Sequence, residues 1–189
     1  MRVIAGSAKG RRLTTLRTLA LRPTPDRVRE ALFNILGERI EGACMLDLFA
    51  GSGAVGLEAL SRGAREVLFV EAHEPACRLI DKNLRDCGLH ARATVWRADV
   101  IKALPALKTK RKAFESIFLD PPYQTSLVED ALNQLGDGVL LAPDGQVVAE
   151  HFFKRGLRER YRRLSRVRTT RFGDVALSFY RAEGSEVGR

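Results

Sequence analysis

The 189-residue sequence is short of the residues that build disulfide frameworks and metal centres, with three cysteines and three histidines. Cys44, Cys77 and Cys87 are odd in number and fit no zinc-ligand spacing, and His73, His90 and His151 show none either. Neither a disulfide network nor a metal site is expected, and the cysteines read as small apolar residues in a reducing compartment. No apolar run approaches the ~20 residues that cross a bilayer. The opening Met1-Arg2-Val3-Ile4-Ala5-Gly6 turns polar at once, so no secretory leader is expected. Internal repeats and low-complexity stretches are also missing. A soluble, cytoplasmic, monomeric protein is the expectation.

What the chain does have is a globular balance, 45% hydrophobic and 29% charged, with a net charge of +9. The charge is unevenly placed: residues 1–40 carry +6, residues 41–150 carry −4 and residues 151–189 carry +7. Two basic ends folded onto one face would make a surface for a polyanion, although terminal charge runs are also common as solvated faces.

Residues 2–16 have the pattern of a short hairpin, with Val3-Ile4 and Leu13 flanking a turn-rich Gly6–Gly10. Thr24, Pro25 and Asp26 suit the cap and first turn of a helix whose apolar positions are Val28, Ala31, Leu32, Ile35 and Leu36, ended by Gly37. From residue 44 the chain alternates. Strands are predicted at 44–48, 66–70, 93–96, 116–119 and 146–150, and helices at 54–62, 74–87, 100–107 and 126–135. Such alternation predicts a parallel sheet covered by helices. Residues 164–170 and 174–180 break the rule, with no helix between them, and predict an antiparallel hairpin at the sheet's edge. The organisation expected is an N-terminal hairpin-and-helix extension over 1–40, an α/β domain over 41–181 and a frayed tail over 182–189.

The first predicted strand runs into Asp47-Leu48-Phe49-Ala50-Gly51-Ser52-Gly53-Ala54-Val55-Gly56, in which Gly51, Gly53 and Gly56 fit G-x-G-x-x-G. Such a loop turns sharply and lets backbone approach a ligand at a helix N-terminus. Glu71 ends the next strand, 20 residues after Gly51, where a carboxylate can accept both hydroxyl protons of a ribose. NAD, FAD and S-adenosylmethionine sites all use this glycine pattern. Asp47 favours the last: it would repel a pyrophosphate, and it would attract an ammonium and a sulfonium. After the third strand, Asp99 and Val100 could bond an adenine amino group and cover its ring, although Asp99 is equally placed to cap the helix that follows.

The most specific signal is Asp120-Pro121-Pro122-Tyr123, directly after the apolar strand Ile117-Phe118-Leu119. Two prolines cannot continue a ladder and fix a rigid turn at the strand's C-terminal end, where an open parallel sheet binds its ligands. A carboxylate and a proline carbonyl are pure acceptors, and Tyr123 offers a stacking face. An exocyclic amine on a nucleobase needs that set, because its lone pair is delocalised into the ring. Acceptors on its N–H groups draw the nitrogen toward sp³ geometry, and Asp120 can take the departing proton.

Asp120–Tyr123 resembles the [D/N]-P-P-[Y/F] signature of amino-methylating class I methyltransferases. Residues 22–36 (RPTPDRVREALFNIL), 46–53 (LDLFAGSG), the opening 2–6 (RVIAG) and 56–64 (GLEALSRGA) resemble the RsmD family of bacterial 16S ribosomal RNA guanine-N2 methyltransferases. The likeness covers roughly residues 1–150. It implies a Rossmann-like sheet of seven strands with the last antiparallel, S-adenosylmethionine as methyl donor, and 16S rRNA, in the small subunit or an assembly intermediate, as substrate. It implies cofactor contacts at Thr24, Asp47, Phe49, Ala50, Gly51, Ser52, Gly53, Glu71, Ala72, Asp99 and Val100, and catalysis at Asp120, Pro121, Pro122 and Tyr123.

For RNA phosphate the expected contacts are Arg2, Lys9, Arg11, Arg12, Arg22, Arg27 and Arg29. Lys108, Lys110, Arg111 and Lys112 are a further group, or a solvated loop. An adenine-N6 methyltransferase on RNA or DNA shares the four-residue signature. Asp120 tilts the choice to guanine, whose adjacent N1–H and N2–H form a donor pair that a carboxylate can meet. A basic RNA-binding protein without activity and an NAD-dependent oxidoreductase are the readings from other classes, and no residue suits hydride chemistry.

Overall fold

Alternating apolar runs and turn residues dictate an α/β chain, and the computed structural model, which describes residues 1–15, 26–110 and 112–183, has that form. Arg22, Thr24 and Pro25, with Arg111 and the tail from 184, lie outside the described residues. The chain divides into two compact units, Met1–Asp99 and Val100–Arg189.

In the first unit, three parallel strands run in the order β3-β2-β1: β1 Cys44–Leu48, β2 Glu66–Glu71 and β3 Ala93–Arg97. Every residue of β1 is buried, as expected of a strand covered on both faces. Helix α1 (Asp26–Leu36) buries Val28, Leu32, Phe33 and Leu36 along one stripe, and a 3₁₀ turn at Gly37–Ile40 follows it. Helix α2 (Ala54–Ser61) is buried along its whole length. It lies so close to β2 that a Cβ at Gly56 would sit 2.2 Å from the ring of Phe69. Helix α3 (Glu74–Asp86) has Pro75 in its first turn and buries Ala76, Cys77, Leu79, Ile80 and Leu84.

The expected N-terminal hairpin is reduced to one bridge, Arg2 to Arg12, with Val3 N–H donating to Arg11 C=O at 3.0 Å. Its stability comes from α2. Glu58 accepts the Ile4 and Ala5 N–H groups at 2.7 and 2.9 Å, and Ser61 accepts the Ala8 N–H at 2.9 Å.

The second unit holds α4 (Val100–Thr109), β4 (Phe114–Leu119), α5 (Leu127–Leu135), β5 (Leu141–Phe152), β6 (Arg160–Tyr161), β7 (Leu164–Phe172) and β8 (Val175–Ala182), with strand order β4-β5-β8-β7-β6. β4 and β5 are parallel, and β8 runs antiparallel to both of its neighbours. The β7–β8 hairpin therefore lies at the end of the sheet where the sequence pattern put it, β8 pairing with β5 and only the two-residue β6 lying beyond β7. Eight strands are present among the described residues, one more than the seven expected. The addition is the two-residue β6, paired only through Arg160–Ser165 and Tyr161–Leu164, too short for periodicity to reveal. β5 also begins five residues early, across an irregular register that contains Asp144 at φ 61°.

Candidate active site

The loop from β1 into α2 is shaped by its backbone. Phe49, Gly51 and Gly53 take φ of 59°, 54° and 75°. A side chain at Gly53 would be strained by that φ and would meet Ile80 at 3.0 Å. Phe49 has no such freedom, and a non-glycine residue held left-handed marks a loop constrained by its surroundings.

Two buried carboxylates hold this loop. Glu71, 5% exposed, accepts the Gly51 N–H through Oε2 and the His73 N–H through Oε1, both at 2.8 Å. Asp47, 2% exposed, accepts the Gly56 N–H at 2.9 Å. Burial pushes the Asp47 carboxyl up to about 8; the Gly56 N–H opposes the shift and the charge of Glu71 adds to it. Phe49, Ala50, Gly51 and Ser52 are half-buried around these acids, whereas Ala72 is exposed. The Ala98 N–H donates to the Glu71 carbonyl at 3.0 Å and so brings the end of β3 alongside. Asp99 after it is exposed, and Val100, which opens the second unit, is buried.

Asn83 is a member of this region that periodicity reads as core. Its side chain is wholly buried and joins three segments. Oδ1 accepts the Thr14 N–H at 2.9 Å, and Nδ2 donates to Thr14 C=O at 3.1 Å and Ser52 C=O at 3.4 Å. An amide on the apolar stripe of α3 was the available clue. Glu58 was similarly readable, as the one charge in the apolar helix Ala54–Ser61.

In the second unit, Asp120-Pro121-Pro122-Tyr123 leaves the C-terminal end of β4, with Asp120 half-buried, Pro121 buried and Pro122 exposed. The Tyr123 hydroxyl donates to the buried carboxylate Glu150 at 2.6 Å, and Arg155 Nη1 donates to Tyr123 C=O at 3.3 Å. Pro121, Pro122, Tyr123, Glu150, His151 and Arg155 line one cavity. His151 is a core residue there: its Nε2 pairs with Ser178 Oγ at 2.9 Å, and burial lowers its pKa. Glu150 and Arg155 carry no local sequence signal, because only the β4–β5 pairing places them beside the turn.

Of the expected RNA contacts, Arg2, Lys9, Arg11, Arg12 and Arg27 are exposed, while Arg22 lies outside the described residues. Arg29 is a correction. It is fully buried, donating through Nη2 to Arg2 C=O at 2.6 Å and to Asp26 at 3.1 Å, with Glu58 at 3.8 Å from its Nε. Position 29 falls on the inner stripe of α1 between Val28 and Leu32, so its charge is spent inside the unit and is not available to phosphate. Among the described residues, no cluster of His, Cys, Asp and Glu is placed to hold a metal, and no helix is long and apolar enough to cross a membrane.

A family model described as "Conserved hypothetical protein 95" matches residues 1–181. Ribosomal RNA small subunit methyltransferase D of Escherichia coli (strain K12) is 37% identical over 185 residues, 97% of this chain and 90% of that one. The chain belongs to the RsmD family. The solved structure of yhhF from Escherichia coli superposes with a TM-score of 0.84 at 36% identity, covering 98% of this chain and 99% of that one. The SAM-dependent methyltransferase from Agrobacterium tumefaciens shares the fold at 17% identity, with a TM-score of 0.65 over 89% of this chain and 65% of that one. The mostly parallel α/β fold of a class I methyltransferase is thus the family's fold and this chain's.

Proposed function

We propose that this RsmD-family chain transfers a methyl group from S-adenosylmethionine to the exocyclic N2 amine of a guanine in 16S rRNA, within the small subunit or its assembly intermediate, in the cytoplasm. The observation that carries the reading is the Asp120–Tyr123 turn at the end of β4, with Tyr123 held at both its hydroxyl and its carbonyl.

The first unit's donor set fits the cofactor. Its loop presents carboxylates, which suit a cationic, hydroxyl-bearing ligand and oppose a diphosphate. Glu71 keeps acceptor capacity on both oxygens beyond its two amide bonds, enough for ribose hydroxyls. Asp47 would hold the ammonium end and the backbone of Phe49–Gly53 the methionine, with Ala72 and Asp99 beside the adenine. When bound, S-adenosylmethionine supplies an electrophilic methyl on a sulfonium.

The remaining chemistry belongs to the second unit. Tyr123 stacks on the target base, its ring fixed by Glu150. Asp120 and a proline carbonyl accept the amine's N–H bonds and localise the nitrogen lone pair. As the nitrogen gains positive charge, Asp120 stabilises it and then takes its proton. Residues 1–40 extend the methyltransferase region as an RNA-binding arm, through Arg2, Lys9, Arg11, Arg12 and Arg27.

Methyl transfer from labelled cofactor to unmodified small ribosomal subunits, followed by nucleoside mapping, tests the reading. N2-methylguanosine in 16S rRNA is the expected product. N6-methyladenosine would overturn the choice of base, and no transfer to any RNA would overturn the proposal.

A further inference from the structure

The C-terminal basic stretch lies outside the roles given so far. Part of it is neutralised: Arg158 pairs with Glu129, Arg160 with Glu183 and Arg166 with Glu159. Among the described residues Lys154, Arg155, Arg168 and Arg171 have no ion-pair partner, and all four are exposed.

Among these cations sits an exposed aromatic ring. Phe153 follows directly on β5 and is 37% exposed. The guanidinium carbon of Arg171 lies 4.0 Å from its ring centroid. Both partners are held by backbone. The Phe153 N–H donates to Asp174 C=O at 2.7 Å, and Arg171 Nε donates to Gly173 C=O at 2.7 Å. The pair is therefore a cation–π stack, with the Arg171 guanidinium over one face of an exposed ring. One carboxylate, Asp174, stands in the same turn, against three cations at Lys154, Arg155 and Arg171.

Arg155 links this segment to the Asp120–Tyr123 turn. Arg155 bonds to Tyr123 C=O at 3.3 Å and lines the same cavity as Pro121 and Pro122, two residues along the chain from Phe153. A base brought to Tyr123 must leave its stack, which exposes a face of the neighbouring base and costs stacking energy. Aromatic rings and arginine planes replace such stacking without regard to sequence, and cations beside them neutralise the phosphates.

We propose that Phe153 and Arg171 form a stacking platform for an unpaired RNA base next to the target nucleotide, with Lys154 and Arg155 on the adjoining phosphates. The inference rests on the RNA-methylation reading and adds to it an RNA surface on the second unit. An acidic peptide would use the cations and leave the ring idle.

The experiment compares binding of the full chain to a fluorescent octauridylate and to an abasic octamer with the same phosphates. The wild type favours the base-bearing strand about tenfold, in keeping with stacking on one aromatic side chain. Phe153→Ala abolishes that preference and Phe153→Trp restores it, while Lys154→Ala weakens both strands alike. On small ribosomal subunits, Phe153→Ala raises KM for RNA about tenfold, with S-adenosylmethionine affinity unchanged. An unaltered base preference and KM in Phe153→Ala, while the wild type still methylates RNA, overturns the platform alone. Competition by polyglutamate as effective as by octauridylate also overturns it, in favour of a protein partner. Loss of methyl transfer by the wild type overturns the proposed function, and the platform with it.

Discussion

Glu71 and Gly51 lie 20 residues apart in sequence and are joined by a 2.8 Å hydrogen bond from the Gly51 N–H to Glu71 Oε2. The carboxylate that spacing assigns to a ribose is thus already part of the loop that would cradle the cofactor. Its other oxygen takes the His73 N–H, so one side chain ties the end of β2 to the loop after β1.

Glu71→Ala and Glu71→Gln should both weaken S-adenosylmethionine binding in a folded protein. Gln keeps one acceptor oxygen but turns an NH₂ toward one of the two backbone N–H donors. Hydrogen bonds to a charged group are worth about 1.5–3 kcal/mol each, so titration calorimetry should find affinity reduced by roughly 10- to 150-fold. Wild-type affinity in either folded variant would remove Glu71 from the site.

Asp47 gives the cofactor site a pH dependence. Its carboxyl is pushed up to about 8 in the folded protein, mainly by burial, from an ordinary value of 3.8. Below 8 it is largely protonated, so an ammonium ligand that requires the carboxylate must displace that proton. Affinity should then rise from pH 6 to 8 and flatten as the ligand's own α-amino group, with an ordinary pKa near ~8, begins to lose its charge. Stability moves the other way. The folded state binds the extra proton, so Asp47 lowers stability progressively as pH rises from about 4 to 8. Asp47→Asn should flatten both profiles, as calorimetry and thermal melts across pH 5–9 would register. A rising affinity profile that survives in Asp47→Asn would assign the titration elsewhere.

The elements were legible because their signals are local. Residues 44–48 form the predicted strand to the residue, and helix ends fall within one or two positions of the glycines that stop them. The turn Asp120–Tyr123 was legible for the same reason, since two prolines after an apolar strand leave the backbone few choices. What escaped was tertiary. Arg29 looks like its neighbour Arg27 in sequence; helical phase puts one inside and the other in solvent, and Glu58 with the Arg2 carbonyl makes burial tolerable. Glu150 reaches Tyr123 only through the pairing of β5 beside β4.

The two kinds of N-terminal arginine should separate experimentally. Lys9→Ala, Arg11→Ala and Arg12→Ala together should flatten the salt dependence of RNA binding, each phosphate contact contributing about −0.7 to −0.9 to the slope of log K against log salt. Cofactor affinity should hold. Arg29→Met should instead destabilise, because it leaves Glu58 and the Arg2 carbonyl short of a buried donor. A loss of about 3 kcal/mol corresponds to a Tm lowered by roughly 6–12 °C for a chain of this size. A triple variant with the wild-type salt slope would exclude the arm from RNA binding, and an unchanged Tm in Arg29→Met would show the buried network to be idle.

Asp120 should act on the transition state more than on binding. Its acceptor oxygens strengthen their bonds as the amine nitrogen becomes positive, and interactions that grow along the reaction raise turnover without tightening the ground state. Asp120→Ala should therefore lower kcat by roughly 10²–10³-fold, the range seen when one preorganised polar partner is lost. S-adenosylmethionine affinity should stay near wild type, since the proposed reading assigns that binding to Glu71 and the Gly51–Gly53 loop. Asp120→Asn discriminates between bases. It keeps shape and one acceptor but places an NH₂ where a carboxylate oxygen stood. Against the adjacent N1–H and N2–H donors of guanine, that NH₂ meets one donor head-on and activity should collapse. Against adenine, where N6–H adjoins a lone pair, the amide is compatible and activity should persist. Single-turnover rates on small ribosomal subunits separate these outcomes. Near wild-type turnover in Asp120→Ala would remove Asp120 from catalysis, whereas near wild-type turnover in Asp120→Asn would leave methyl transfer standing and turn the assignment from guanine to adenine.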